Sequence, residues 1–451
     1  EEIEKCFRIR KEVFVLEQEC DPKDEYEHEE EPEAAPGYRT YEVYQRERVG
    51  ETTNLIKPRQ LISDEYLIDP YPLLTILREN YPCYRDWLNN RFWITRYDDV
   101  TSVFADDQNY ETRPKSWYFS IGNDAHSLWS EVEVQKQHEK LVDSQVHDVV
   151  GEVLSSFQGR KINLATDFCA QIPLLLFSRV MGIPKADTQV FLRLYWEMHL
   201  AKSWEPTQKQ RGIAALHQME ELLSKLRNDR NVNSEEGLIK TMQENLYENR
   251  DVKPQDLILT LLDIDQETLF GGLANLWFNL LTSKSEMTKV SEDHRMLKFA
   301  WLETLRHSPP ILSTERFAKF EVERFGRLIP KGGLLMCSAA AANRDPRQFE
   351  SPNEFIVGRK DLCQREPRGQ YRADGLPSGI TFSLGKPSVH PAVPKERSRS
   401  LYAIVRDCAV IASEMLLDSY PNIRLAEGSE PTLKSLYLHG IHTCWELKVD
   451  L

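Results

Sequence analysis

Trp301-Leu-Glu303-Thr-Leu-Arg306 decides the fold because of the segments downstream of it. Ala341-Ala-Asn343-Arg-Asp345-Pro346 comes next, then Phe349, Pro352 and Phe355-Ile-Val-Gly-Arg359. A glutamate and an arginine at i and i+3 share a helix face and can pair. Such pairs fill ordinary solvated helices, so Glu303 and Arg306 alone say little. Arg359 changes the reading, since a second guanidinium can close a buried Glu-Arg-Arg cluster. Farther along lies Gly379-Ile-Thr-Phe382-Ser-Leu-Gly385-Lys-Pro-Ser-Val389-His390-Pro391, a loop ahead of a last helical stretch.

In this order and at these distances, the segments resemble the cytochrome P-450 superfamily over residues 61–451. The resemblance implies a mainly α fold with small β-sheets (α+β), the cytochrome P-450 fold. It also implies that Glu303, Arg306 and Arg359 form a structural cluster bracing the loop beneath a haem. Upstream, Asp69-Pro-Tyr-Pro feeds an amphipathic helix, Arg91-Phe-Trp-Ile-Thr-Arg96 reads as a strand, and Asp98-Asp-Val opens another helix. That succession is similar to the N-terminal part of bacterial members.

The family's loop has the pattern Phe-x-x-Gly-x-x-x-Cys-x-Gly, and its cysteine thiolate favours O–O cleavage at the iron. Phe382 and Gly385 fit as haem-contacting positions, but Val389 and Pro391 stand where the cysteine and second glycine belong. Valine has no lone pair for a metal. Counting back from Tyr420-Pro421, the exit of the last helix, puts the cysteine position at about Arg399 instead. The two counts differ by ten residues, so the stretch from Val389 to Ser398 looks like a remodelled, Pro-stiffened insertion. His390 is the one imidazole nearby, and imidazole does ligate haem iron. A histidine between Val and Pro is more often a turn residue. Cys408 falls on the helix face opposite its start at about 100° per residue and reads as a buried structural thiol.

Other positions implied by the resemblance are altered too. The central helix of the family carries Ala/Gly-Gly-x-Asp/Glu-Thr beside the oxygen site, whereas this chain has Gly271-Gly272-Leu-Ala274-Asn275. Asparagine does not titrate near neutral pH and is a poor proton donor. The glycine pair costs helix stability, so a close approach or a pocket is expected at Gly271, Gly272 and Asn275. His126 matches the histidine of a propionate-binding His-x-x-x-Arg, but the arginine position is Ser130. Arg316 is a second candidate propionate partner, because arginine binds carboxylates in bidentate fashion.

The rest of the chain bounds the function. Of 451 residues, 41% are apolar and 10% aromatic, enough for a packed core. A net charge of -14 argues against nucleic acid or an anionic membrane surface as partner. No apolar run reaches the roughly 18 to 20 residues of a membrane span, and no signal-peptide core opens the chain. Eight cysteines without a C-x-x-C pair suit reduced thiols, so a cytoplasmic protein is expected. His294, His307, His439 and His442 show no metal-ligand spacing and read as surface or core residues, so no metal site is expected. No P-loop, nucleophile elbow or dinucleotide fingerprint is present.

Residues 1–60 form a separate acidic segment. Within it, Phe7-Arg-Ile-Arg10 and Val13-Phe-Val-Leu-Glu-Gln18 are similar to an early segment of GNAT-type acyl-CoA N-acyltransferases. No Gly-rich pyrophosphate-binding turn comes after them. The segment is read as a short helix and acidic linker, with a transferase remnant as the sharper alternative.

Helices are expected at Leu164 to Met181, closed by Gly182-Ile-Pro184, at Leu216 to Leu226, and at Ser400 to Leu417. Pro254 to Leu281 reads as one long apolar helix. Strands are expected at Glu315 to Phe320 and Leu334 to Cys337. Asp263, Asp265 and Glu267 read as the polar face and early turn of the long helix, where negative charge complements its dipole. Aromatics at Trp117-Tyr-Phe-Ser120 and from Trp196 to Trp204 fit a hydrophobic small molecule, although aromatics at helical spacing are usually core.

Three functions are compatible with these residues. One is a haem-free auxiliary protein that binds and activates a partner enzyme, as known for relatives in natural-product pathways. Another is a haem protein with a non-cysteine ligand such as His390, acting as an oxidoreductase, isomerase or dehydratase. The third is a cofactor-free enzyme using the old substrate pocket. The first is favoured because three catalytic features are lost together.

Overall fold

A short 3-10 turn, Pro58–Ile62, leads into α1 (Asp64–Ile68) and α2 (Tyr71–Asn80). The computed structural model describes residues 55–362 and 398–451, apart from breaks at 114, 120, 122–124, 158, 160, 204–205, 229–236, 245–251, 265 and 436–440. Residues 1–54 of the acidic segment, residues 229–236, and the stretch bearing Phe382, Gly385, Val389 and His390 lie outside the described residues.

Asp69 accepts the Tyr71 N–H at 3.2 Å to start α2, and Pro72 sits in the first turn, where its missing N–H costs nothing. Next come β1 (Tyr84–Asp86), β2 (Arg91–Ile94) and α3 (Tyr97–Phe104), with Asp98 and Asp99 in the first turn of α3. After β3 (Tyr110–Glu111) and α4 (Lys115–Phe119), the chain turns mostly helical. α5 (Val132–Ser155) and β4 (Lys161–Asn163) are followed by a π turn, Ala165–Cys169, and α6 (Gln171–Met181). Gly182 ends α6 with φ +78, a left-handed cap that favours glycine. Then come α7 (Thr188–Met198), a 3-10 turn at His199–Lys202, α8 (Pro206–Asn228), α9 (Leu238–Glu244), α10 (Pro254–Asp263) and α11 (Gln266–Thr282).

α12 (Lys284–Glu292) and α13 (Met296–His307) lead to β5 (Thr314–Ala318), β6 (Val322–Arg324), β7 (Arg327–Ile329) and β8 (Leu334–Cys337). α14 (Ala339–Ala342) and α15 (Leu401–Ser419) precede β9 (Arg424–Leu425), β10 (Leu433–Ser435), β11 (His442–Cys444) and β12 (Lys448–Asp450).

The main sheet has the order β1-β2-β8-β5-β3. Its one parallel pair aligns Phe92 with Leu335 and Ile94 with Cys337. Three smaller sheets are β10-β11, β4-β12-β9 and β6-β7. The architecture is therefore mainly α with small β-sheets. The large core joins α5, α6, α7, α11, α13 and α15, with Trp277, Trp301, Phe168 and Tyr195 fully buried in it. A smaller core under the main sheet packs Ile56, Leu74, Leu77, Tyr84, Trp93 and Met336.

One expectation needs correction. Pro254 to Leu281 is two helices, with Ile264 extended at φ -83 and ψ 106 between them. Lys115 of α4 donates its ammonium to the Leu262 carbonyl and lies 3.8 Å from Asp263, so a side chain caps the end of α10. Ile264 is itself buried, which is why the apolar pattern runs on across the break. Asp263 thus closes one helix while Glu267 lies in the first turn of the next. Among the described residues no helix is long and apolar enough to cross a membrane.

Ser400 caps α15 by accepting the Ala403 N–H at 3.2 Å. Removing that acceptor in Ser400→Ala should cost about 1 kcal/mol of stability. Urea unfolding of the variant should show a lower midpoint at an unchanged slope.

Candidate functional site

Glu303 sits on α13 with almost no solvent access, and so does Arg306 one turn later. The guanidinium meets the carboxylate through two bonds, Nε to Oε2 at 2.8 Å and Nη2 to Oε1 at 2.7 Å. Arg306 spends its other N–H groups on the carbonyls of Asn343, Pro352 and Glu354, at 2.8 to 2.9 Å. Glu303 in turn accepts the Ile356 N–H at 3.0 Å and Arg359 Nη1 at 3.3 Å. Arg359 reaches Asp361 with two further bonds. The Phe349 ring lies 5.3 Å from the Arg306 guanidinium and 5.6 Å from that of Arg359. The structure thus brings the three cluster residues together and uses them to hold the chain from Asn343 to Arg359. A buried charge is tolerable only when paired and fully hydrogen-bonded, and this one is.

The glycine pair on α11 faces packed protein. A Cβ on Gly271 would lie 2.6 Å from Pro310 Cβ and 2.7 Å from Ile441 Cγ2. At Gly272 it would lie 2.4 Å from Trp301 Cη2. Asn275, one turn on, donates from Nδ2 to the Ser308 carbonyl at 2.8 Å and to the His442 carbonyl at 2.9 Å. Its Oδ1 accepts the Cys444 N–H at 3.3 Å. Every bond that amide can easily make is used, and it sews α11 to the end of α13 and to β11.

The residues suggested for propionates each make other contacts. His126 has an exposed side chain, and its backbone N–H donates to Asp256 at 2.7 Å. Arg316 on β5 stacks 4.7 Å from the Phe104 ring and donates to the Glu315 carbonyl at 2.8 Å. Phe382, Gly385 and His390 lie outside the described residues. Of the aromatics, Trp117 is 60% exposed, while Phe119 and Trp196 pack around the His199 ring at 5.4 and 5.9 Å. His199 Nε2 lies 3.1 Å from Glu267, which ties the turn after α7 to α11.

Arg399, reached by counting back from the exit of α15, bonds to Glu139, Asp143 and Asp407. Its partners on α5 were not legible in the sequence. The cavity lined by His138 of α5, Leu269 of α11 and Leu401, Ile404 and Cys408 of α15 has a volume of about 20 Å³. Sites for drug-sized ligands run from about 300 Å³ upward. That cavity is far too small for a porphyrin.

The helices, the small sheets and the Glu-Arg-Arg brace together define the cytochrome P-450 fold. The family model described as Cytochrome P-450 matches residues 289–362, the span that carries the brace. Pulcherriminic acid synthase of Bacillus subtilis (strain 168) is 23% identical over 414 residues, covering 85% of this chain and 96% of its own length. The solved bacillaene polyketide synthase cytochrome P-450 PksS of Bacillus subtilis 168 superposes with a TM-score of 0.68 at 21% identity, covering 88% of this chain and 100% of PksS. P450BioI, solved in complex with acyl carrier protein ligated to hexadec-9Z-enoic acid, gives 0.66 at 19% identity, covering 86% and 100%. The family model and the curated relatives support a place for this chain in the cytochrome P-450 superfamily.

Leaving one partner of the brace unpaired should be severe. Glu303→Gln is expected to cost roughly 3 to 5 kcal/mol, read as a fall in the chemical-denaturation midpoint.

Acid should also weaken the fold. Burial pushes the His138 imidazole down to about 4, and burial with the nearby Arg344 charge does the same for His442. The unfolded chain protonates these rings near 6.5. The neutral rings therefore add stability that is complete above about pH 6.5 and is lost as the pH falls toward 4, roughly 3 kcal/mol each. In His138→Leu the slope of stability against pH in that window should shrink by about one proton.

Proposed function

We propose that this is a cytochrome P-450-fold protein without an axial thiolate, not a monooxygenase, acting as an auxiliary, partner-binding protein in a specialised metabolic pathway. The observation that carries the reading is Asn275. At the place where the family has a hydroxyl that helps deliver protons, an amide is committed to two backbone carbonyls and a backbone N–H. A group so engaged is held as structure and has no proton to pass on. The neighbouring glycines meet Pro310, Ile441 and Trp301 at contact distance, which supports the same conclusion. Val389, at the cysteine position of the loop pattern, offers iron no electron pair. The brace around Glu303 persists although the catalytic positions have changed, as expected where the shape of the body is what is used.

The partner half of the reading draws on the relatives. Two are named for pulcherriminic acid and polyketide biosynthesis, and P450BioI was solved holding an acyl carrier protein. A protein of this fold can therefore present a face to another protein, and here the partner is taken to be an enzyme encoded alongside. The acting unit is taken as residues 61–451, with the acidic segment 1–60 as a linker.

The test is the visible spectrum of the purified chain together with the turnover of the neighbouring enzyme. A colourless protein that raises that turnover at stoichiometric ratio is the expected result. A carbon-monoxide difference band of the thiolate type would overturn the reading. A Soret band without that feature would transfer the argument to haem ligated by His390.

A further inference from the structure

Three consecutive residues fix the start of α15. Ser398 Oγ donates to Gln135 of α5 at 3.4 Å, and Ser400 caps the helix itself. Between them, Arg399 makes a bonding set unlike any other among the described residues. Its backbone N–H and Nε both go to Glu139, at 3.1 and 2.6 Å. Nη2 takes both oxygens of Asp143 at 2.6 and 2.7 Å, and Nη1 takes Asp407 at 2.6 Å. Arg406 meets the other oxygen of Asp407 at 2.8 Å.

Glu139 and Asp143 stand four residues apart on α5, where like charges repel. Asp407 adds a third carboxylate from the other side of the seam between α5 and α15. A single exposed ion pair contributes little, but bidentate geometry and several charges in one network are the exception. Burial works against the Arg399 charge. The hydrogen bonds from Glu139 and Asp143 and the nearby Asp143 and Asp407 charges outweigh it and hold the group above its ordinary pKa. A guanidinium is a donor only, with no electron pair to give a metal.

We propose that the Arg399 network fastens α15 to α5 where a haem-thiolate linkage would otherwise hold the start of that helix, and that the chain keeps its fold without porphyrin. The inference deepens the non-oxygenase half of the reading above and is independent of any partner. Its geometry is consistent with the small cavity between α11 and α15 and with the filled face of Gly271 and Gly272.

The test uses the full chain made in cells supplied with haem precursor, followed by absorption spectra and melting with and without stoichiometric hemin. No Soret band is expected, and hemin should move the melting temperature by less than about 1 °C. Arg399→Met should lower it by about 3 °C or more, a large shift for a chain of this size. Arg399→Lys, which keeps the charge and loses the fork, should fall between the two and serves where the methionine variant does not fold. Asp143→Asn in the Arg399→Met background should recover part of the loss, because it relieves the repulsion with Glu139 that Arg399 had offset. Copurified haem that raises the melting temperature would overturn the proposal, as would Arg399→Met melting within about 1 °C of the parent. A colourless chain that depends on Arg399 yet alters no partner's turnover would sink only the partner reading.

Discussion

A single carboxylate, Glu303, organises this molecule. It lies without solvent on α13 and must be compensated inside the protein, so two guanidiniums, Arg306 and Arg359, are drawn to it. Each guanidinium brings further donors that must also be satisfied. They take the carbonyls of Asn343, Pro352, Glu354 and Glu350, so residues 343–359 are held by one buried charge. Phe349 fills the space between the two cations, and Tyr97 meets its edge at 5.8 Å, linking α3 to the same point. Replacing such a cluster with well-packed apolar residues can be neutral or stabilising. Its value here is geometric, since only one course of the chain from Asn343 to Arg359 satisfies every donor.

The central helix solves a different problem by the same means. Gly271 and Gly272 let α11 approach Pro310, Ile441 and Trp301 more closely than any side chain would allow. Close approach leaves backbone groups of Ser308, His442 and Cys444 dry, and Asn275 pairs with all three. An alanine there would leave those groups unmet, and an acid would carry a charge with no cation beside it. The amide at this position is therefore one that the packing requires. That coupling makes a simple reversal to the family's pattern costly, because a threonine offers one hydrogen where the amide offers two.

How much of this the sequence discloses depends on the range over which each feature is encoded. The brace was readable because Glu303 and Arg306 lie one turn apart and Arg359 comes later in a compact segment. β8 was readable from Leu334-Leu-Met-Cys337, an apolar run bounded by glycine on one side and serine on the other. The break at Ile264 was not, because its cause is Lys115, which lies about 150 residues upstream and caps α10 only after folding. The role of Asn275 was half readable. Its identity pointed to an amide that does not titrate, but its three backbone partners come from the end of α13 and from β11. His126 was matched by a local motif, and the structure leaves the residue exposed with its backbone N–H on Asp256.

Arg399 joins these strands. In a haem-thiolate protein the start of the last helix would be held by a bond from sulfur to a metal, which needs a deprotonated donor and an empty slot above it. Here that helix begins beside a permanent cation, and the carboxylates gathered around it would be mutually repulsive without it. A metal cation brought near Arg399 would meet a like charge, and a thiolate in its place would add a fourth negative group to Glu139, Asp143 and Asp407. The seam between α5 and α15 is thus held by charge pairing centred on one guanidinium. The network extends along the helix through Arg406, which meets the second oxygen of Asp407, and so draws on both helices.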